Sequence, residues 1–483
     1  MIVSRTNVIL RPDSSRVMFR AFNPADSQRA VRIIARVMAL SDAQVERALT
    51  EVLDHFRGRH HRLLPFFLKR FAHVREGMLT DQKIDDNRRH LIGAYFTQEY
   101  SLESAALFNP SLIWHPDQSK APPGGKRFIL SLRATGEGHI SSIVFRSGTI
   151  DEQNHIQIDE PSRFVTVPDV EPNSLYEKPL FERKLTELGL ANEFVMLLMS
   201  NLEETFTLGQ LQDISRDLLR QYRPRASEWE PTLHSILHLA RSNYEVFYSQ
   251  FQDLSERVIF PFAPSETNGI EDARFVEFRE EDGQTTYYAT YTAYDGRVTL
   301  PQLLETRDFV RFKISTLNGP EVRNKGFAIF PRRINGHYAM ISRQDGENMS
   351  IMFSDMLHFW YTRDVLIKPT FPWEFVQVGN CGSPIETDAG WLVITHGVGP
   401  MRRYTMGAIL LDRDNPTRVI ARMTEPILVP NDNEREGYVP NVVYSCGGQL
   451  HGDTLIIPYA MSDQASTFGM VSLDALLGAM TRA

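Results

Sequence analysis

The sequence predicts a mainly β chain with a helical N-terminal region and one helical insertion. Two observations carry this reading. From about residue 101 to the C-terminus, short β-rich runs recur between Gly- and Pro-containing turn signals. Two other stretches, about 26–100 and about 175–255, read as helices instead.

The elements follow in chain order. In the N-terminal region (1–100), Ser41-Asp42-Ala43-Gln44 has the spacing of a capping box. Val45, Ala48, Leu49, Val52 and Leu53 then recur at helical spacing. The next stretch, HFRGRHHRL, carries His55, His60 and His61 without a carboxylate or thiolate framework for a metal, and reads as a solvated helix end or loop. From about 105 to 170, FNPSLIWHP, KRFILSLRAT and HISSIVFRSG read as strands. LTELGLANEFVMLLMSNLEETF and PTLHSILHLARSNYEVFYSQF, with little Gly or Pro, mark the insertion at about 175–255. Thereafter Asp282-Gly283, Asp295-Gly296, Asn335-Gly336, Asp345-Gly346 and Gly447-Gly448 punctuate runs such as TTYYATYTAY and GWLVITHGV. Asp-Gly and Asn-Gly supply the positive φ angles of tight hairpins. Many hairpins in series imply a barrel, a sandwich or a propeller. Periodicity leaves these three open, because the chain has no exact fixed-period repeat.

Composition narrows the function classes. A chain of 483 residues, 42% hydrophobic and 23% charged, is expected to pack a globular core as one large domain or two to three ordinary ones. Its net charge of -8 lacks the bulk positive field of nonspecific nucleic-acid binding. Cys381 and Cys446 allow at most one disulfide. The start, MIVSRTNVILRPDSS, lacks a signal-peptide apolar stretch, and no uncharged apolar run is long enough to span a bilayer. A cytoplasmic address without membrane partners is the expectation.

The densest polar cluster is NGIEDARFVEF, residues 268–278, where Glu271, Asp272 and Arg274 stand together. A carboxylate beside a guanidinium is either a general acid held in place or only an ion pair. The wider pattern adds context. NGIEDARF and YYATYTAYDG resemble the central motif of glycoside hydrolase family 130. FNPSLIWHP with LSLRA, NKGFAIFPRRINGHYAMISR, GSPIETDAGWLVITHGV, YTMGAILLDRDNPTRVIARMTEPIL and GYVPNVVYSCGGQLHGDTLIIPYAMSD resemble further family motifs in the family's order. The likeness spans most of residues 100–475, apart from the helical insertion.

That resemblance implies a five-bladed β-propeller at 101–483, with its site in the central funnel and an inverting attack on a β-mannoside. Asp272 occupies the position of the family's general acid, whose proton reaches the glycosidic oxygen through a hydroxyl of the bound mannose. Asn109 and Arg133 match residues lining the glycosyl subsite. Arg274 holds the Asp272 region or a sugar hydroxyl, Tyr294 and Asp295 sit beside the subsite, and Asp463 closes the ring of sugar contacts. Each has a plainer reading: Asp295 as a hairpin turn residue, Tyr294 as core, Asn109 before Pro110 as a turn. Arg133 on an apolar strand is harder to explain plainly, since an inward arginine needs a hydrogen-bonding partner.

Lys325, Arg343 and His396 stand where the family's phosphorylases place their basic residues, which favours phosphate as the nucleophile. The chain departs from the family where Gly326 follows Asn324-Lys325 in place of aspartate, and where Gln344 follows Arg343 in place of proline. A hydrolase needs a base, for which Glu386, Glu434 and Glu436 are candidates, with plainer readings as a strand-end carboxylate and a solvated loop. Three functions are therefore weighed: a mannoside phosphorylase yielding α-mannose 1-phosphate, an inverting β-mannosidase, and a glycan-binding propeller without catalysis. No metal or organic cofactor is expected; inorganic phosphate is a co-substrate. The N-terminal and inserted helices are expected to pack on the rim, either restricting the acceptor side or forming a homo-oligomer interface.

Overall fold

The computed structural model describes residues 3–75, 83–171 and 175–482. Ser41 caps the helix Asp42–Phe56 as its spacing predicts: its hydroxyl accepts from the Gln44 amide, and the Gln44 side chain accepts from the Ser41 amide at 2.8 Å. This helix packs with Ser27–Met38, Leu63–Arg75 and Asp86–Tyr95 around Val45, Phe71, Leu91 and Ile92. His60 departs from the solvated reading. It is buried, stacks on Phe19 with ring centroids 3.9 Å apart and bonds Glu99 at 2.7 Å.

Among the described residues, five antiparallel sheets of four to six strands follow one another along the chain. The first is built on Ala106–Trp114, Lys126–Thr135 and Ser141–Ile150. The second contains Ile270–Arg279, Thr285–Tyr294, Thr299–Thr306 and Arg311–Thr316. The third starts at Lys325–Ile329, the fourth at Gln377–Asn380 and the fifth at Val443–Tyr444. Asn335-Gly336 supplies two successive positive φ angles (51° and 83°), as a tight hairpin requires.

Each sheet shares a core with the next. Phe145 of the first meets Phe275 and Phe312 of the second. Phe278 and Leu303 of the second pack with Phe327 and Met340 of the third. Ile341 faces Trp391 and Val393 of the fourth, whose other side buries Leu392 and Ile394 with Leu455 and Ile457 of the fifth. Ile456 and Phe468 of the fifth then pack with Leu112 and Leu130 of the first. Strands sandwiched this way are buried on both faces, so Thr285–Tyr294 is buried at eight successive positions, threonines included, and shows no alternation of burial.

Hydrogen bonds follow the same cycle. Ser111 Oγ accepts from the Phe275 amide at 3.1 Å, and the Thr290 hydroxyl donates to the Phe327 carbonyl. The Val378 amide donates to Glu347 at 2.9 Å, Tyr404 to Asn441 at 3.1 Å, and Cys446 back to Pro110 at 2.8 Å. All five sheets contribute to one cavity of about 410 Å³, lined among others by Trp114, Val276, Pro331, Pro384 and Gly448.

Gly447-Gly448 is not a hairpin turn. Val443–Tyr444 and Gln449–His451 both pair with the same strand, Thr454–Met461, and the glycines lie between them. Gly447 instead makes a close approach: a Cβ on Gly382 would lie 2.4 Å from its Cα. Its carbonyl accepts from the Leu112 amide at 3.1 Å.

The insertion holds the helices Lys178–Glu187, Glu193–Ser200, Leu208–Gln221 and Ala226–Arg241 around its own core of Phe194, Leu198, Leu211, Trp229 and Ile236. The strand after it, Tyr244–Phe247, pairs with Arg311–Thr316 and so extends the second sheet. The N-terminal strand Ser4–Leu10 pairs with Ala465–Ser472 of the fifth sheet, where Arg5 makes a two-pronged bond to Glu434, both contacts at 2.8 Å. No helix among the described residues is long and apolar enough to cross a membrane.

Candidate active site

Three edge strands are interrupted by bulges at the positions from which the candidate residues project. The pairing register shifts between Phe108 and Ser111, between Glu271 and Arg274, and between Lys325 and Ala328. A bulge re-aims a side chain that the pleat would otherwise bury between sheets. Asn109 (φ 49°), Asp272 (φ 54°), Asn324 (φ 66°) and Asp463 (φ 52°) are all left-handed. Asn and Asp are the non-glycine residues that tolerate this region best.

The bulges converge on Asp272. Asn109 Nδ2 donates to Asp272 Oδ1 at 2.6 Å, and Arg133 Nη1 lies 3.5 Å from the same oxygen. Arg133 also reaches Glu271 at 3.1 Å, and Lys325 Nζ reaches the other Glu271 oxygen at 3.6 Å. Arg274 turns back to donate to the Asp272 carbonyl at 3.0 Å and to the Tyr444 hydroxyl at 2.6 Å. Burial works against charge on Asp272. Arg133, Arg274 and Lys325, with the Asn109 hydrogen bond, outweigh it and hold the carboxyl below the usual aspartate range. Asp463 goes the other way: burial, then the Asp272 charge, push it up to about 7.

A second cluster adjoins the first. Lys325 and Arg343 are register partners across the third sheet, as are Gly379 and His396 across the fourth. A Cβ on Gly379 would stand 2.7 Å from the His396 ring and 3.1 Å from the Arg343 side chain, so glycine lets these two approach. Gln377 ties them together. Its Oε1 accepts from Arg343 at 2.8 Å, which turns its amide nitrogen toward His396 Nε2 at 3.4 Å. His396 Nε2 is then the acceptor and Nδ1 carries the proton. Burial, reinforced by Arg343 and Arg274, holds His396 well below the usual histidine range, so it is a neutral donor. Among the described residues, its Nδ1 is buried without a hydrogen-bond partner, as are Nε of Arg274 and Nε of Arg343. Buried N–H groups left unpaired in this way suit an anion with several acceptor oxygens. Among the described residues, no group of three or more His, Cys, Asp or Glu is placed to hold a metal ion.

The structure thus brings Asp272, Asn109, Arg133 and Arg274 into contact, with Lys325 joined through Glu271 and Arg343 with His396 alongside. Asp463 shares their field. Tyr294 lies across from the start of the Asp272 strand, its amide donating to the Gly269 carbonyl at 3.3 Å. Asp295 Oδ1 accepts from the Arg297 and Val298 amides at 2.8 and 2.7 Å, the plainer turn role, and no hydrogen bond or ion pair joins either residue to Asp272 among the described residues. Glu386 is held by Arg332 at 2.7 and 3.0 Å and lines the cavity that the five sheets share. Glu434 is held by Arg5 and by Tyr459 at 2.7 Å, and Glu436 is exposed. Glu271, Tyr444 and Gln377 were not singled out as site residues. Glu271 is adjacent to Asp272 in the motif, whereas Tyr444 and Gln377 come from distant sheets and carry no local signal.

Comparison with known proteins settles the family. Residues 216–482 match the family model of glycoside hydrolase family 130, described as beta-1,4-mannooligosaccharide phosphorylase. A 1,2-beta-oligomannan phosphorylase of Thermoanaerobacter sp. is 36% identical over 249 residues, 50% of this chain and 81% of that protein. The chain belongs to glycoside hydrolase family 130. It is therefore a carbohydrate-active enzyme. A beta-1,2-mannobiose phosphorylase of Listeria innocua is 35% identical over 214 residues, 42% of this chain and 58% of that protein. The solved Listeria innocua enzyme in complex with beta-1,2-mannobiose aligns with 79% of this chain and 92% of its own at 23% identity and a TM-score of 0.46. The family 130 match begins after Asn109 and Arg133, which join its Asp272 through contacts between sheets.

Proposed function

We propose that this protein is an inverting β-mannoside phosphorylase, cleaving its substrate with inorganic phosphate to release α-mannose 1-phosphate and a shortened acceptor. The observation that carries this is the pairing of one carboxyl, Asp272, with a flanking set of donors, Lys325, Arg343 and His396, while Glu386 and Glu434 are occupied by arginines elsewhere. Water attack needs a base; phosphate is already anionic and does not.

In this reading a phosphate oxygen bonds to the mannosyl C1 as the C1–O glycosidic bond breaks. The Asp272 proton passes to the leaving oxygen through a mannose hydroxyl. Asn109, Arg133 and Asp463 hold the sugar. Arg274 fixes the Asp272 backbone. An arriving phosphate offsets the positive charge that keeps Asp272 ionised, and so raises its pKa toward that of a working acid. The five sheets are read as blades around one axis, supported by their cyclic cores and shared cavity. β-1,2-Linked mannosides are the first substrates to test, since relatives named for that linkage are 33–36% identical. A cytoplasmic address is consistent with two free, buried cysteines.

Asp272→Asn tests the assignment. Turnover is expected to fall by about a thousandfold or more, within or above the range for a lost general acid, with circular dichroism and melting unchanged. Wild-type turnover in a folded variant would remove Asp272 from the role.

A further inference from the structure

A pair of exposed rings, Tyr438 and His139, stands on segments that adjoin the site carboxylates and has no role in the chemistry above. Tyr438 Oη and His139 Nδ1 are 2.9 Å apart, their ring centroids 5.8 Å apart at 37°. His139 precedes a strand of the first sheet and Tyr438 precedes the fifth sheet's Val443–Tyr444, and each adjoins a segment next to a different site carboxylate.

On the Tyr438 side, the Val439 amide donates to the Ser462 carbonyl at 3.0 Å. Gly437 packs so closely on Ser462 that a Cβ there would lie 2.5 Å from the Ser462 carbonyl oxygen. Asp463 is the next residue. On the His139 side, Ser141 Oγ donates to the Ile270 carbonyl at 2.9 Å, two residues before Asp272. Gly138 (φ 69°) and His139 (φ 61°) are both left-handed, a conformation that costs free energy for histidine and is held by the surrounding contacts. Tyr438 remains 46% exposed although its loop is fixed. A half-exposed tyrosine ring, on a loop bonded to the residue before Asp463, suits the C–H face of a pyranose.

We infer that Tyr438, positioned by His139, is a stacking platform for the acceptor sugar of the β-mannoside. This rests on the mannoside reading of the site above. The glycosyl unit sits among Asn109, Arg133 and Asp272, and the next sugar outward meets the ring.

Calorimetric titration of β-1,2-mannobiose and of free mannose into wild type, Tyr438→Ala and Tyr438→Phe tests this without relying on turnover. Tyr438→Ala is expected to weaken mannobiose about tenfold and mannose by less than about twofold, the scale of one lost aromatic contact. Tyr438→Phe keeps the ring and is expected to bind mannobiose within about threefold of wild type. Equal weakening of both sugars by Tyr438→Ala, or unchanged mannobiose affinity, would overturn the platform. Failure of wild type to phosphorolyse any mannoside would sink the proposed reaction, and the mannobiose-to-mannose comparison would still decide the platform.

Discussion

At the scale of single residues, the site is organised around two carboxyls with opposite protonation. Asp272 is kept ionised by Arg133, Arg274 and Lys325, and that negative charge helps keep Asp463 protonated up to about pH 7. The sign for stability follows. A folded-state pKa raised above the unfolded value means that the native state binds the extra proton. The Asp463 contribution is therefore fully present below about pH 4 and is lost as pH rises through about 7. Asp463→Asn is expected to raise Tm at pH 8 by roughly 1–3 °C and to have less effect at pH 5, measured by scanning calorimetry. A variant that is less stable at pH 8 than at pH 5, relative to wild type, would contradict this. Asp272 and Arg274 could be read from one short motif because they are two residues apart. The tie from Glu271 to Lys325 and the link from Arg343 through Gln377 to His396 could not, since they exist only once separate sheets meet. Asp295 illustrates the reverse case: its Asp-Gly turn signal is local, and the Arg297 and Val298 amides that it accepts from lie within three residues.

At the scale of elements, what was legible was what backbone chemistry dictates locally. The Ser41 cap and the Asn335-Gly336 turn follow from side-chain acceptors and allowed φ angles. The glycine pair at 447 was misread because a close approach and a hairpin demand the same residue type. His60 was misread because its burial depends on Phe19 and Glu99, neither of them nearby in sequence. Buried charge has the same property. Glu103 lies fully buried between Arg16 at 2.9 Å and Arg146 at 2.6 Å, joining the turn before the first sheet to one of its strands and to the N-terminal segment. Glu103→Gln would remove the buried carboxylate that both guanidinium groups contact, leaving the exposed Asp13 as the remaining acidic group acting on them, at a cost of about 3–5 kcal/mol. Urea unfolding is expected to show that loss as a lower midpoint with an unchanged slope; a midpoint equal to wild type would show that the charge is not needed.

At the scale of the whole molecule, hairpins and apolar runs predicted many sheets but not their arrangement. A barrel, a sandwich and a propeller bury similar strands, and only contacts between distant segments choose among them. Here the fifth sheet returns to the first through Cys446 and Pro110, through the core around Leu112 and Ile456, and through the bond between Tyr438 and His139. That return brings Asp463 to Arg133 and Asp272, so the candidate site joins residues of the first, second and fifth sheets. The most direct measurement is turnover of β-1,2- and β-1,4-linked manno-oligosaccharides with and without inorganic phosphate, followed by phosphorus NMR. The expected product is α-mannose 1-phosphate, formed only when phosphate is present. Release of free mannose at the same rate without phosphate would contradict it.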